Sequence, residues 1–158
     1  MACCEPATST MKSIFQILCL TWACALHAQV SFTGTEQHEH LDTNLVSLTL
    51  HFSIDSGFHI QSDQPLEDHL IPADFNLAFD DVVEHTIKYS PPVLKKGWSD
   101  GQTISVFDRS FSIDLQVLQP DISNRRLFGT LLYQACDQKR CYFPKECQFE
   151  IELGLKND

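Results

Sequence analysis

Basic residues are scarce in this sequence of 158 residues. It has 11 Lys and Arg against 21 Asp and Glu, which gives a formal net charge of −10. Such a surface repels phosphate groups, so the composition argues against a nucleic-acid partner. Apolar residues make up 43% of the chain and charged residues 20%. These proportions are typical of a folded globular protein, and the length fits one domain.

Long apolar segments are missing after the N-terminal region, so we expect no stable insertion into a membrane. From Met11 the chain reads MKSIFQILCLTWACALHAQV. Lys12 precedes an apolar stretch over 14–23, and small residues follow; the stretch is shorter than the roughly 20 residues that span a bilayer. This pattern predicts a cleaved signal peptide and a periplasmic or secreted product, with residues 1–28 outside the fold. The sequence leaves open whether Met1 or Met11 is the start.

Sustained helical periodicity is also missing. Apolar and polar residues instead alternate in short segments between turn signals, as they do at Leu48, Leu50, Phe52 and Ile54. Such segments predict an all-β protein, an immunoglobulin-like antiparallel β-sandwich. We expect the sandwich over 45–155, after a flexible lead-in over 29–44. The Pro- and Gly-rich segment 90–102 is expected to be a loop.

Motifs for metal, phosphate or acyl-transfer sites are scarce as well. His38 and His40 have a ligand-like spacing, but a metal site needs three or four ligands and this segment offers no third. No Gly-rich phosphate loop stands out, and neither does a Ser, His and Asp triad order. We therefore predict no metal and no other cofactor.

Cysteine falls to three residues once the predicted signal peptide is removed, namely Cys136, Cys141 and Cys147. An exported protein meets an oxidising compartment, so one intramolecular disulfide can form and one thiol is left over. Cys147 alternates with Phe149 and Ile151 on one face of the segment CQFEIEL. That placement favours an inert core residue over a third redox partner.

Cys136 and Cys141 flank the short polar stretch DQKR and can form a hairpin disulfide. Closing so short a loop removes about 2 kcal/mol of unfolded-state entropy, against nearly 5 kcal/mol for a loop of about 100 residues. Lys139 and Arg140 would stabilise a thiolate at Cys141, whereas Asp137 would disfavour one at Cys136. These neighbours nominate Cys141 as the exchanging sulfur and Cys136 as the resolving one. Position alone leaves a structural bond equally open.

The segment YQACDQKRCYFPKE resembles the active-site hairpin of the N-terminal periplasmic domain of the thiol:disulfide interchange protein DsbD. The family pattern is Tyr-Gln-small-Cys, a short polar loop, then Cys-Tyr-x-Pro or Cys-Leu-x-Pro. The residues that match it, and that would surround the site, are Tyr133, Gln134, Ala135, Cys136, Cys141, Tyr142 and Pro144. The stretch from Gly57 to Pro72 is similar to a second family segment. The resemblance covers residues 45–153 and implies an immunoglobulin-like sandwich that relays electrons.

This resemblance implies a thiol–disulfide exchange module of the protein-disulfide reductase type, working through Cys136 and Cys141. The donor would be a thioredoxin-like protein or a membrane thiol transporter, and the clients would be exported proteins that contain disulfides. The membrane-embedded and thioredoxin-like regions of that family are not found in this sequence, so we expect either that the donor is a separate protein or that the relay role has been lost.

The resemblance also suggests residues around the sulfurs. Trp98 is the candidate for the family's aromatic cap, with Phe107 as a weaker choice and packing on the sandwich edge as the alternative for Trp98. His59 would tune a thiol pKa, or else be a polar surface group. The rival function for the whole chain is a non-catalytic secreted β-sandwich that binds a protein partner, with a structural hairpin disulfide.

Overall fold

A computed structural model describes residues 28–40, 45–78, 84–97, 101–118 and 126–152. The predicted signal peptide lies outside the described residues, apart from its last position. The described ranges form strands β1 (Val30–His40), β2 (Leu45–Ile54), β3 (His59–Gln61), β4 (Asp74–Ala78), β5 (Glu84–Tyr89), β6 (Val93–Lys96), β7 (Thr103–Asp108), β8 (Ser110–Leu118), β9 (Arg126–Tyr133), β10 (Ala135–Cys136) and β11 (Lys145–Glu152). Within these ranges we find no helix that could cross a bilayer.

The strands form two antiparallel sheets. The larger sheet has the order β1-β2-β8-β7-β3-β10, with β5 also paired to β8 and β6 to β7. The smaller sheet has the order β11-β9-β4. One continuous cluster of buried side chains draws on both sheets, from Leu48 and Phe52 in the larger to Leu131 and Ile151 in the smaller. The antiparallel sandwich predicted from the alternation is confirmed.

Strand β2 shows how the sequence sets this core. Its residues alternate between half-buried and buried along the whole strand. Leu48 and Leu50 lie opposite Leu115 and Ile113 of β8, and all four are buried. Because each buried aliphatic side chain contributes about 1.5–3 kcal/mol, the alternation fixes which face of the sheet turns inward.

Aromatic rings fill the core where β9 carries Gly129. Phe149 of β11 lies directly opposite Gly129. Its ring stacks on Phe32, with centroids 4.3 Å apart, and on Phe75, with centroids 5.9 Å apart. A Cβ atom on Gly129 would lie 2.5 Å from the Phe149 ring. Glycine is therefore needed here because the ring occupies the place of a side chain.

The flexible lead-in predicted over 29–44 is wrong for residues 30–40, which form β1. This strand pairs with β2 along its length, with one irregularity between Phe32 and Gly34. Val30 is fully buried. The second half, TEQHEH, looks unstructured by composition, but an outer strand of an antiparallel sheet can face water and still gain its ladder of backbone hydrogen bonds.

The loop predicted over 90–102 is interrupted by β6, a four-residue strand that pairs with β7. Two prolines precede it, where no ladder hydrogen bond needs their missing N–H. Val93 and Leu94 are both exposed, so this strand lacks the alternation that marks the others. Trp98 lies outside the described residues.

Candidate functional site

Cys136 and Cys141 form a disulfide at the edge of the larger sheet. Cys136 ends β10, the outermost strand, which pairs with β3. Four residues separate it from Cys141, and the two Cα atoms lie 3.9 Å apart. The two cysteines face each other as an isolated antiparallel bridge.

The hairpin around this pair is closed by hydrogen bonds that do not involve sulfur. The amide of Asp137 donates to the carbonyl of Arg140 at 2.9 Å, and the amide of Tyr142 donates to the carbonyl of Ala135 at 2.8 Å. The side-chain Nε2 of Gln134 also donates to the Tyr142 carbonyl, at 3.0 Å. The cysteines thus sit between two backbone hydrogen bonds, at the kind of antiparallel position where facing side chains lie closest.

Asp137 holds the turn itself. Its Oδ1 accepts from the amides of Lys139 at 2.6 Å and Arg140 at 2.9 Å, and its Oδ2 accepts from the Tyr142 hydroxyl at 2.8 Å. The Lys139 amide, then the Tyr142 hydroxyl and the Arg140 amide, lower the pKa of Asp137 to about 2. The sequence suggested only a charge beside Cys136; the structure gives Asp137 a role in shaping the loop.

The two cysteines differ sharply in accessibility. Cys136 is 0% exposed, whereas Cys141 is exposed. Gln61 Nε2 donates to Cys136 Sγ at 3.7 Å from the neighbouring strand. A disulfide on another protein can therefore reach Cys141, while Cys136 is enclosed by this chain.

The aromatic and proline residues expected around the site occupy different environments. Tyr133 is 1% exposed and lies in the core, so it does not form an outer wall. Tyr142 is half-buried, with the Arg140 guanidinium 4.8 Å from its ring centroid and the Phe58 ring at 5.8 Å. Pro144 is exposed.

The two candidates for the aromatic cap are Trp98 and Phe107. Trp98 lies outside the described residues, and Phe107 is in the core. Phe107 is buried and stacks on Phe111, with centroids 4.6 Å apart, and on Tyr89, with centroids 6.0 Å apart. Phe107 as a cap is therefore wrong, because its ring faces the opposite side of the sheet from a solvent-exposed sulfur.

His59 lies next to the disulfide. It is the cross-strand neighbour of Cys136 in the β3–β10 pairing. Burial lowers the pKa of His59, and the positive charge of Lys95 lowers it further. Its imidazole is therefore mainly neutral at pH 7, and Nε2 has no hydrogen-bond partner among the described residues.

A cleft of about 260 Å³ opens beside Cys141. Its lining comes from β3, from the segment between β3 and β4, and from the hairpin, through His59, Gln61, Glu67, Leu70, Gln134 and Cys141 among others. No motif in the sequence marks Gln61. The signal available was its position two residues after His59, because residues i and i+2 of a strand share a face. Within the described ranges no cluster of three or more potential metal ligands occurs.

Comparisons with known proteins give matches in structure only, since no protein-family model and no curated protein matches the sequence. The N-terminal periplasmic domain of ScsB from Proteus mirabilis matches with a TM-score of 0.55 and 12% identity, over 82% of this chain and 52% of that one. The chain shares the fold of the matched part of that domain. It spans about half the length of the ScsB chain. The predicted immunoglobulin-like fold class is confirmed.

DsbD N-terminal domains are also among the structural neighbours. The reduced domain from Neisseria meningitidis matches with a TM-score of 0.49 and 15% identity, over 78% of this chain and 86% of that one. The same domain in complex with the PilB N-terminal domain matches with a TM-score of 0.49 and 14% identity, over 81% and 88%. These neighbours belong to the group of domains that the hairpin sequence resembles.

Proposed function

We propose that this protein is an exported thiol–disulfide exchange module of the protein-disulfide reductase type, which relays electrons through Cys136 and Cys141. The observation that carries the proposal is the contrast between an exposed and an enclosed cysteine in one disulfide. An exchange protein needs one sulfur that partners can reach and a second that only the first can reach. The family resemblance of the hairpin sequence supports the same function.

In the proposed reaction, the Cys141 thiolate attacks one sulfur of a client disulfide, and the client's other sulfur leaves as a thiolate. The Cys136 thiolate then attacks the Cys141 sulfur. The Cys136–Cys141 bond forms, the mixed disulfide breaks, and the client's first sulfur leaves as a thiolate. The client gains two electrons and the cysteine pair loses two. A donor dithiol, on a thioredoxin-like protein or a membrane thiol transporter, restores the pair by the reverse steps.

The hydrogen bonds of the hairpin explain how one backbone can serve both oxidation states. No sulfur atom takes part in the contacts of Asp137 and Gln134, so reduction of the disulfide would remove none of them directly. The disulfide itself adds only about 2 kcal/mol through its short loop. The hairpin thus keeps Cys136 within reach of Cys141 after reduction, as the resolving step requires.

Gln61 supports that resolving step. Burial disfavours a thiolate at Cys136, since the charged form loses its hydration. The amide N–H of Gln61, already 3.7 Å from the sulfur in the disulfide, would donate to the thiolate and offset part of this penalty. Gln61 thus acts on a sulfur atom through a direct contact. Lys139 and Arg140 would act only through their charge.

A redox titration tests the proposal. Purified protein is equilibrated with glutathione or dithiothreitol buffers and the oxidised fraction is measured. We expect a midpoint potential between about −120 and −270 mV, the range of known exchange proteins. A midpoint well below about −300 mV would mark a structural bond and contradict the proposal.

A trapping experiment tests the order of the sulfurs. Cys136→Ser should accumulate mixed disulfides through Cys141 with exported proteins, detected by mass spectrometry under non-reducing conditions. Cys141→Ser is the matched control and should trap far fewer partners, because Cys136 is enclosed. Equal trapping by the two variants would show that the assignment of roles is wrong.

The rival function, a secreted binding domain with a structural disulfide, is favoured by Phe143. This ring lies two residues after Cys141 and is 91% exposed, which suits an apolar anchor for a protein partner. The two functions separate in the double variant Cys136→Ser, Cys141→Ser. A binding domain would retain its partner in this variant, whereas an exchange module would lose its covalent adducts.

A further inference from the structure

Gln61 lines the cleft beside Cys141 and carries an unpaired side-chain oxygen. Its side chain is 1% exposed and lines the cleft. Nε2 is directed to Cys136 Sγ, and Oε1 has no hydrogen-bond partner among the described residues. Buried acceptors are normally satisfied, because leaving one without a donor is costly. An oxygen left in this state beside an exposed cysteine is suited to a donor that arrives from outside.

His59 adds a second unpaired polar atom to the same cleft. It precedes Gln61 by two residues on β3, so both side chains leave the same face of the strand. Its Nε2 is buried and unpaired within the described part of the chain. The two unpaired groups are therefore spaced along an extended backbone, next to the sulfur that solvent reaches.

The remaining lining narrows the chemistry of the ligand. Leu70 and Ile104 give apolar surface, Glu67 gives a negative charge and His69 an imidazole, and no Lys or Arg of the described residues lines the cleft. Phosphates and other multiply charged anions are therefore poor ligands for this cleft. An extended peptide offers backbone N–H groups at strand spacing together with apolar side chains, which matches both the unpaired atoms and the apolar surface.

We propose that this cleft binds the backbone of an extended peptide segment next to the partner's reactive cysteine. A peptide N–H donates to Gln61 Oε1, a second peptide polar group pairs with His59 Nε2, and an apolar side chain packs on Leu70 and Ile104. The inference rests on the proposed function, because the disulfide reacting at Cys141 is what places the segment in the cleft. It adds that the partner is recognised through its main chain.

The test compares ligands on one protein. In Cys136→Ser, where only the first attack is read, the second-order rate constant for mixed-disulfide formation at Cys141 is measured with three disulfides. These are 2-hydroxyethyl disulfide, a six-residue peptide dimerised through its single cysteine, and the same peptide with the amides flanking the cysteine N-methylated. We expect the unmodified peptide to react about five- to tenfold faster than the methylated one, the effect of one or two hydrogen bonds.

Variants assign the effect to the cleft. Gln61→Met should reduce the ratio between the two peptides to about one, and His59→Phe should reduce it in part. Lys88→Gln, a surface change on β5 outside the cleft lining, is the matched control and should leave the ratio unchanged. Circular dichroism and urea midpoints check that each variant is folded.

The outcomes separate this inference from the proposed function. Equal rates for the two peptides, with rapid reaction of 2-hydroxyethyl disulfide, would overturn the cleft and leave the exchange function standing. A ratio that survives Gln61→Met would overturn the role of Gln61. No reaction with any of the three disulfides would overturn the exchange function itself.

Discussion

The hydroxyl of Tyr142 donates a hydrogen bond of 2.8 Å to Asp137 Oδ2, across the turn that separates the two cysteines. The same carboxylate accepts two backbone amides from within the turn. One side chain thus joins both arms of the hairpin and its tip. Asp137 therefore supports the conformation that brings the cysteines together through contacts that include no sulfur atom.

Removing this carboxylate should loosen the reduced hairpin. In the reduced protein, Asp137→Ala is expected to speed hydrogen exchange of the Lys139 and Arg140 amides about tenfold, because each loses a charge-assisted hydrogen bond. Exchange is read by NMR. Asp137→Asn, which keeps an acceptor oxygen, is the control and should change the rates less. Rates in Asp137→Ala equal to those of the parent protein would show that these hydrogen bonds do not maintain the turn.

The lowered pKa of Asp137 predicts that acid weakens the hairpin. The pKa of Asp137 is about 2 in the folded protein, below its ordinary value of 3.8. Because the folded value is the lower one, the carboxylate stabilises the fold fully above the ordinary value and loses that contribution as the pH falls towards about 2. The protection of the turn amides should therefore decline between about pH 4 and pH 2.

Tyr142→Phe checks the cause of that shift. It removes the second-largest source of the lowered pKa, so the Asp137 carboxyl should titrate at a higher pH, as followed by carbon NMR. Phe143→Leu changes the next residue without touching the hydrogen bond and should leave the titration where it was. An unchanged midpoint in Tyr142→Phe would be the contrary result.

Cys141 and Cys147 should differ in their reactivity towards an alkylating reagent. After reduction, iodoacetamide should modify Cys141 first, because it is exposed. Cys147 is half-buried against the core, and burial raises its pKa, so little thiolate is available to react. We expect Cys147 to be modified only in urea, as followed by peptide mass spectrometry. Early modification of Cys147 in the folded protein would instead favour a third redox partner.

Gly129 should tolerate no side chain. Gly129→Ala is expected to lower the free energy of unfolding by about 1–3 kcal/mol, because the Phe149 ring already fills the space of a Cβ atom. Urea denaturation measures the loss. In the background of Phe149→Leu the same substitution should cost less, which a double-mutant cycle would show as a coupling energy. Strict additivity of the two substitutions would mean that the contact is not the cause.

The sequence was most informative where apolar residues alternate over a whole strand. The alternation predicts β2 and β11, because burial on one face fixes their register. It was least informative at the margins of the larger sheet. β1 carries a polar second half, and both apolar residues of β6 are exposed, so neither strand shows the alternation of apolar and polar residues along its whole length.

The sequence likewise predicted one part of the candidate site and missed another. The hairpin and its two cysteines are local features, and the sequence predicted their proximity. The cleft is not local, since its lining combines Gln61 of β3, Gln134 beside β10 and Leu70 from a separate connection. Only the pairing of β3 with β10 shows that Gln61 contacts a sulfur, and no spacing in the chain encodes that pairing.

The enclosure of Cys136 limits how the protein can turn over. Under the proposed function, an electron donor and a client would both react at Cys141, because Cys136 is buried, so the two would bind in succession. Turnover would therefore follow ping-pong kinetics, with parallel lines in double-reciprocal plots. At high concentration the client would bind the oxidised protein, and the donor the reduced protein, without reacting. Each would then inhibit the reaction of the other.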